Sequence, residues 1–181
     1  MERLYPKYII IHHTAGWDQP ITAIDRYHAS LGWGVELISP KSMVDEYRKR
    51  GFRATGRGVI ISVGYHYLIR ADGRIERGRP DFMQGAHCIN DGMNFKSLGI
   101  ALTGNFDSCS NPKGEIGLPR PTKSQLDSLE RLCRILMDKY TIEKDRILPH
   151  NKVRGADTKC PGDRLVFKPE FVFDTEHVFD I

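Results

Sequence analysis

The chain has 181 residues, of which 40% are hydrophobic and 28% charged, with a formal net charge of +4. These values predict one globular domain, residues 1–181, with a sizeable core, and we expect a monomer. No apolar run approaches the length of a transmembrane helix, so no membrane partner is expected. The mild positive charge suits an anionic polymer such as a cell wall. The clustered basic and aromatic residues of a nucleic-acid-binding protein are missing, so no nucleic-acid partner is expected.

The beginning of the chain and its four cysteines indicate the compartment. No apolar segment precedes the first predicted strand, so we expect synthesis in the cytoplasm without a signal peptide. In that compartment Cys88 and Cys109 are expected to stay reduced rather than to form a disulfide. Cys133 falls on the apolar face of a predicted helix and is expected in the core. Cys160, in a loop, remains as the candidate metal ligand.

The first half of the chain predicts alternating strands and helices. Residues 20–31 and 40–50 carry apolar side chains at helical spacing, and Ser39 and Pro40 suit the start of the second helix. The glycine- and arginine-rich segment 52–58 is predicted to be a loop. Apolar runs rich in β-branched or aromatic residues predict strands at residues 7–12, 59–63 and 65–70.

The second half predicts a hairpin, another buried strand and the strongest helix of the chain. Asp72-Gly73 is a hairpin turn signal, and residues 97–103 form the strand. Residues 107–121 contain three prolines and are predicted to be a loop. A capping box at Thr122 opens a helix that continues to about residue 140. Together these elements predict a mixed α/β fold in a single domain.

Two histidine positions and one cysteine form the most informative constellation. His12 and His13 end the first strand, where neighbouring side chains point to opposite faces, so only one of them can face a shared site. His150 and Cys160 lie together in the last part of the chain. Two histidines and one thiolate without a fourth ligand predict an open zinc site. Zinc sites that keep a position for water are catalytic, so the constellation predicts an enzyme.

The remaining candidates have simpler interpretations when taken alone. Tyr65 and the histidine after it fit aromatic side chains packed in a sheet, and His87 fits a surface loop. His28 and His177 are expected to be structural or solvated. The sequence contains no nucleophile elbow, Walker loop, HExxH or GxGxxG motif.

Several motifs together resemble one known family. Two of them are IIIHHTA at residues 9–15 and VGYHYLI at residues 63–69. The others are Tyr27-His28, Gly32-Trp33, Asp72 to Arg79, Gly85-Ala86-His87 with Asn94, Leu98 to Phe106, His150 and Cys160-Pro161-Gly162. In this order they resemble the type-2 N-acetylmuramoyl-L-alanine amidases. That family includes amidase-type phage lysozymes and peptidoglycan recognition proteins. The resemblance covers about residues 7–165.

The resemblance implies a fold and a ligand set. The implied fold is a single α/β domain in which helices flank a mixed, mostly parallel central sheet, with zinc at the floor of a cleft. The implied cofactor is one Zn²⁺ per chain. Its implied ligands are His12 rather than His13, together with His150 and Cys160.

The resemblance also implies roles around the metal. Tyr65 matches the tyrosine that lies beside the attacking water. Thr158 matches a position that holds the developing oxyanion, and the neighbouring Lys159 is an alternative for that role. His87 and Asn94 match positions that line the substrate groove.

Two segments depart from the family pattern. Residues 34–62 form an insert relative to the compact phage enzymes. We expect it to extend or gate the groove wall, and so to confine turnover to substrates that carry both sugar and stem peptide. The segment from His150 to Cys160 is longer than in the shortest family members, so its loop is expected to bulge.

The implied function is hydrolysis of the amide bond between N-acetylmuramic acid and L-alanine, with peptidoglycan or its muropeptides as partners. Two settings stay open. One is a phage or prophage endolysin that acts on the cell wall after release by a holin, and the other is a cytoplasmic enzyme that recycles wall fragments. The alternative is a non-catalytic peptidoglycan-binding module on the same fold. Such family members typically lose the cysteine, whereas Cys160 is present.

Overall fold

The computed structural model describes residues 5–166, and within them the chain forms eight strands and three α-helices. The strands are β1 (Tyr8–His13), β2 (Val35–Leu37), β3 (Arg53–Ala54), β4 (Val59–Ile61), β5 (Tyr67–Ile69), β6 (Ile75–Arg77), β7 (Ser97–Leu102) and β8 (Ile147–Pro149). The helices are α1 (Ile21–Ser30), α2 (Lys41–Lys49) and α3 (Lys123–Tyr140). Short 3₁₀ turns cover Asn90–Phe95, Lys144–Arg146 and His150–Lys152.

A five-stranded sheet in the order β6-β5-β7-β1-β8 forms the centre of the molecule. Strands β5, β7, β1 and β8 are parallel, whereas β6 pairs with β5 in an antiparallel hairpin around the predicted Asp72-Gly73 turn. The predicted mixed, mostly parallel sheet is therefore confirmed. Strand β8 was not predicted, because its three residues are too few to show a periodic pattern.

Strand β1 lies in the middle of the sheet and is buried on both faces, as parallel strands usually are. Ile9 and Ile11 belong to the main core cluster, whereas Ile10 packs in a separate cluster. Because side chains alternate along a strand, His12 lies on the face of Ile10 and His13 on the face of Ile11. The two adjacent histidines therefore leave the strand in opposite directions.

Helix α3 covers one face of the central sheet. The Thr122 side chain accepts a hydrogen bond from the Gln125 backbone N–H, and the Gln125 side chain accepts one from the Thr122 backbone N–H. The predicted capping box is therefore confirmed. Leu129, Cys133 and Leu136 are buried on the inner face of the helix, and none of the four cysteines forms a disulfide. Among the described residues, no helix is both long and apolar enough to cross a membrane.

Residues 34–62 form a small layer of their own beside α1. Strands β2, β4 and β3 make an antiparallel three-stranded sheet. Val44 and Tyr47 of α2 pack with this sheet in a cluster that continues to Leu68 and Ala101 of the central sheet. The insert thus shares one apolar core with the body of the domain.

Two predictions inside the insert are wrong in detail. Helix α2 begins at Lys41 after Pro40, and no side chain caps it, so Ser39 does not act as the cap. The segment 52–58 was predicted to be a loop, but it contains the short strand β3, which pairs with β4. A two-residue edge strand depends on its partner strand, so its local sequence carries little signal.

Candidate metal centre

Three potential metal ligands meet at one end of the central sheet. His12 lies at the carboxyl end of β1, and His150 directly follows the carboxyl end of the neighbouring parallel strand β8. Cys160 lies in the loop that follows. One ligand atom from each residue lies within 4.8 Å of the other two. This position, beyond the carboxyl ends of parallel strands, is where α/β folds bind ligands.

The donor set and its spacing fit zinc. Nδ1 of His12 is 3.5 Å from Sγ of Cys160, and the ring centroids of His12 and His150 are 4.6 Å apart. A nitrogen and a sulfur at normal zinc distances and a tetrahedral angle would be roughly 3.6 Å apart. Within residues 5–166 this is the only group of three or more His, Cys, Asp or Glu side chains that could hold a metal ion.

His13 has a different environment from His12. Its Nδ1 accepts a hydrogen bond from the Phe106 backbone N–H, and its ring lies 5.9 Å from the Phe106 ring. Burial lowers the pKa of His13 to about 4, so the ring is a neutral packing element. The structure therefore places the first histidine of the pair beside Cys160, and the two side chains point in opposite directions, as strand alternation predicts.

The second nitrogen of His12 faces His87. Nε2 of His12 is 3.1 Å from Nδ1 of His87, and the two rings meet edge to face with centroids 5.1 Å apart. His87 is 9% exposed, so the interpretation of it as a surface-loop histidine is wrong. Its neighbour in the expected groove, Asn94, accepts hydrogen bonds from the backbone N–H groups of His87 and Cys88. The groove-lining roles of His87 and Asn94 stay predictions.

Tyr65 borders the same site. Its ring lies 5.3 Å from the His12 ring and 5.6 Å from the His28 ring. Burial, with smaller contributions from Cys160 and Tyr27, raises the pKa of the Tyr65 hydroxyl above its usual value. The hydroxyl is therefore a permanent hydrogen-bond donor at neutral pH.

The loop between His150 and Cys160 is closed by local hydrogen bonds. The backbone N–H of Asn151 donates to the Cys160 carbonyl at 2.8 Å. The Cys160 backbone N–H donates to Oγ1 of Thr158 at 3.1 Å, so Thr158 also helps to place the ligand loop. Lys159 is exposed at the same cavity as Thr158. The geometry leaves both residues available for the oxyanion role.

Burial controls the protonation of the ligands. It lowers the pKa of His12 well below its usual value and also lowers that of His150, so both imidazoles are neutral and can offer a lone pair. Burial raises the pKa of the Cys160 thiol to about 12. Without a cation the thiol therefore keeps its proton, and metal binding has to displace it.

Two adjoining cavities surround the site. One of about 360 Å³ contains the three ligands and is also lined by Asp107 and Ser110. The other, of about 180 Å³, shares Tyr65 with the first, and Trp17 and Tyr27 are exposed beside it. Sequence reasoning gave none of these four residues a role in the site, although Tyr27 belongs to one of the family motifs, because none has metal or nucleophile spacing.

Three other expectations concern neighbouring segments. No residue of 34–62, all of them described, lines either cavity, and the expectation that the insert extends or gates the groove wall stays a prediction. His28 is buried and accepts a hydrogen bond from the Gly64 backbone N–H, but it also lines the smaller cavity, so its structural interpretation stays a prediction. His177 lies outside the described residues.

Comparisons with known proteins agree with this geometry. The family model of N-acetylmuramoyl-L-alanine amidase (Amidase_2) matches residues 2–163. The endolysin of Escherichia phage T7 is 35% identical over 102 residues, which cover 56% of this chain and 60% of the endolysin. The aligned part thus spans about 60% of the phage endolysins that the chain matches. Peptidoglycan-recognition protein SC2 of Drosophila melanogaster is 26% identical over 170 residues, covering 89% of this chain and 71% of that protein.

Solved structures of related proteins have a similar fold. N-acetylmuramoyl-L-alanine amidase LysC from Clostridium intestinale URNW superimposes with a TM-score of 0.63 at 32% identity, covering 93% of this chain and 83% of LysC. Bumblebee PGRP-SA has a TM-score of 0.61 at 24% identity, covering 91% and 81%, and shows a likeness of fold alone.

Proposed function

Because this chain belongs to the N-acetylmuramoyl-L-alanine amidase family, we propose that it hydrolyses the amide bond between N-acetylmuramic acid and L-alanine in peptidoglycan. The observation that carries the proposal is the convergence of His12, His150 and Cys160 at one end of the sheet. Three donors of these types leave a coordination position for water, as catalytic zinc sites do.

The proposed cofactor is one zinc ion per chain. Nδ1 of His12, a ring nitrogen of His150 and the sulfur of Cys160 would hold it. When bound, zinc polarises the scissile carbonyl and lowers the pKa of a water molecule. The neutral imidazoles need no deprotonation, whereas the Cys160 thiol gives up one proton. Zinc affinity is therefore expected to weaken as the pH falls.

Tyr65 is the proposed donor to the reacting amide. Its hydroxyl keeps its proton at neutral pH and lies on the side of the site that the two cavities share. A hydrogen bond from this hydroxyl to the oxygen of the tetrahedral intermediate would stabilise the transition state. Such donors contribute roughly 2.7–4 kcal/mol in comparable sites.

Thr158 is the second proposed contributor. Its oxygen accepts the Cys160 N–H, so its own hydroxyl proton stays available for the substrate. Lys159 is the alternative donor at this edge of the cavity. Because Thr158 also orients the ligand loop, its loss should affect zinc binding as well as turnover.

The smaller cavity is the proposed place for the groups that flank the scissile bond. Trp17 and Tyr27 line it and are 59% and 63% exposed overall, so they could offer flat apolar faces to a sugar ring or a stem peptide. Tyr65 lies between these faces and the proposed metal, so a substrate bound along them would extend to the ligands.

A phage-type endolysin is the setting that the phage relatives favour. In that setting the protein works as a monomer on the cell wall after release by a holin. The recognition-module alternative draws on the peptidoglycan-recognition relatives. It is the weaker candidate, because Cys160 is present and lies against His12.

Incubation with purified peptidoglycan tests the proposal. We expect new free L-alanine amino termini, glycan strands of unchanged length, loss of the reaction with a chelator and recovery with zinc. New reducing ends would instead indicate a glycosidase. Binding without any new amine would support the recognition module and overturn the enzyme.

A further inference from the structure

We infer that His87 is a positioning residue, which holds His12 in the orientation and tautomer that present Nδ1 to the metal. The inference rests on the proposed zinc site, but not on the amidase reaction. Two distances on opposite sides of one ring motivate it. Nδ1 of His12 is 3.5 Å from Sγ of Cys160, and Nε2 of His12 is 3.1 Å from Nδ1 of His87.

The tautomers follow from the number of protons available. A neutral imidazole carries one N–H, and a nitrogen that binds a metal cannot carry it. Once Nδ1 of His12 is a ligand, its Nε2 carries the proton and donates to Nδ1 of His87. His87 then accepts at Nδ1 and keeps its own proton at Nε2. A partner on the second nitrogen of a ligating histidine is the usual way in which proteins fix its ring.

The backbone around His87 is shaped to its ring. A Cβ at Gly99 would lie 2.6 Å from Cγ and Cδ2 of His87, and a Cβ at Gly85 would lie 2.5 Å from Cδ2. Only glycine leaves room for the imidazole at both positions. Asn94 fixes the backbone from the other side, since its Oδ1 accepts from the N–H groups of His87 and Cys88 at 2.8 and 2.9 Å. The ring is therefore held in place independently of His12.

The histidine behind this pair has no free nitrogen. The ring of His66 lies 5.6 Å from that of His87. Nδ1 of His66 accepts from the Gly99 backbone N–H at 3.0 Å, and its Nε2 donates to the Met83 carbonyl at 2.9 Å. His66 is thereby held as one neutral tautomer and does not compete for Nδ1 of His87.

The buried Nε2 of His87 supports the same assignment. Among residues 5–166 it has no hydrogen-bond partner of good geometry. A buried N–H without a partner destabilises a fold. In the opposite tautomer of His87 the proton would lie on Nδ1 and would face the Nε2–H of His12. The unpaired Nε2–H of His87 therefore follows from the role of its Nδ1 as the acceptor.

A matched pair of variants tests the inference. Leucine and asparagine have the same branched outline, but only the Oδ1 of asparagine can accept a hydrogen bond where Nδ1 of His87 lies. We expect His87→Leu to weaken zinc binding about 10–100-fold, measured by chelator competition without substrate. His87→Asn should restore most of the affinity. Equal zinc affinities of the two variants would overturn the inference.

Two further measurements keep the test independent of folding. Gly85→Ala retains His87 but displaces its ring, so we expect a similar loss of zinc affinity; wild-type affinity in this variant contradicts the inference. Nitrogen NMR of the zinc-loaded wild type should show a protonated Nε2 and a metal-bound Nδ1 in His12, and the reverse assignment also contradicts it. If the wild type fails to cleave peptidoglycan while the leucine and asparagine variants still differ in zinc affinity, the proposed function fails and the role of His87 stands.

Discussion

The candidate metal centre at the end of the sheet and the insert of residues 34–62 place their polar groups in contrasting ways. At the candidate metal centre, His12 and Cys160 approach each other closely and together with His150 could hold a metal ion. In the insert, polar side chains bind backbone carbonyls instead. The Tyr47 hydroxyl donates to the Gly78 carbonyl, and the Arg48 guanidinium donates to the carbonyls of Thr55 and Gly58.

This difference separates two kinds of contribution. Side chains that are arranged to bind a metal add little to the stability of the metal-free protein, but they decide whether a metal binds. Groups that satisfy backbone carbonyls stabilise the fold and touch neither cavity. Substitutions in the two regions should therefore separate into effects on zinc and turnover and effects on stability.

The largest effect is expected for Cys160→Ser. A neutral hydroxyl is a poor zinc ligand compared with a thiolate, so we expect loss of both bound zinc and amidase activity. Metal analysis and the release of L-alanine amino termini measure the two losses. The matched control is Cys109→Ser, since Cys109 is exposed and free, and this variant should keep both properties. Stoichiometric zinc in the Cys160→Ser protein would remove Cys160 from the ligand set.

Tyr65→Phe should change the rate without changing the metal. The variant removes one hydroxyl and little volume, so we expect zinc to stay bound while kcat falls roughly 10²-fold or more. Thr158→Val should reduce kcat less, because Lys159 lines the same cavity. Steady-state kinetics with a soluble muropeptide would check both values. An unchanged kcat in Tyr65→Phe excludes the hydroxyl from the mechanism.

Tyr47→Phe should lower the stability of the protein without changing its catalytic rate. It leaves the Gly78 carbonyl without its buried partner, so we expect a loss of about 1–3 kcal/mol in the free energy of unfolding. Urea denaturation measures this loss, and kcat/KM at a temperature where the protein is folded should not change. Tyr5→Phe is the control, since Tyr5 is 75% exposed. A large decrease in kcat/KM would show that the insert does contribute to the site.

The smallest effect concerns Asp18, which belongs to neither region. Hydrogen bonds from Arg70, with further ones from Thr103 and Ala71, lower the pKa of Asp18 to about 2. A lowered carboxyl pKa stabilises the fold above the unfolded pKa near 4, and this contribution is lost as the pH falls toward 2. The side chain is 35% exposed, so we expect only about 1 kcal/mol after allowing for solvent screening.

The measurement for Asp18 is the stability difference between wild type and Asp18→Asn. We expect wild type to be more stable at pH 6 and the two proteins to converge as the pH falls toward 2. A difference that persists unchanged through this range would show that the charge of Asp18 is not responsible.

The candidate ligand set could be proposed from the sequence because its residue types and the family motifs that contain them are local signals. Strand alternation alone requires that His12 and His13 face opposite sides. The proposed role of His87 could not be predicted from the sequence. Its contact with His12 joins residues 75 positions apart, and the space for its ring depends on Gly85 and Gly99. The place where the insert packs on the domain could not be predicted from the sequence either. Its apolar pattern predicts helix α2, but it does not specify which face of the domain the helix covers.

The proposed ligands come from almost opposite ends of the described chain, because His12 and Cys160 are 148 residues apart. An ion that joined the first strand to the last described loop would act as a removable link that binds only the folded chain, so it would stabilise the fold by mass action. At a free zinc concentration of 1,000 times the dissociation constant, such a link contributes about 4.1 kcal/mol. Chelation should thus expose the protein to proteases, and its lifetime would follow the supply of metal around it.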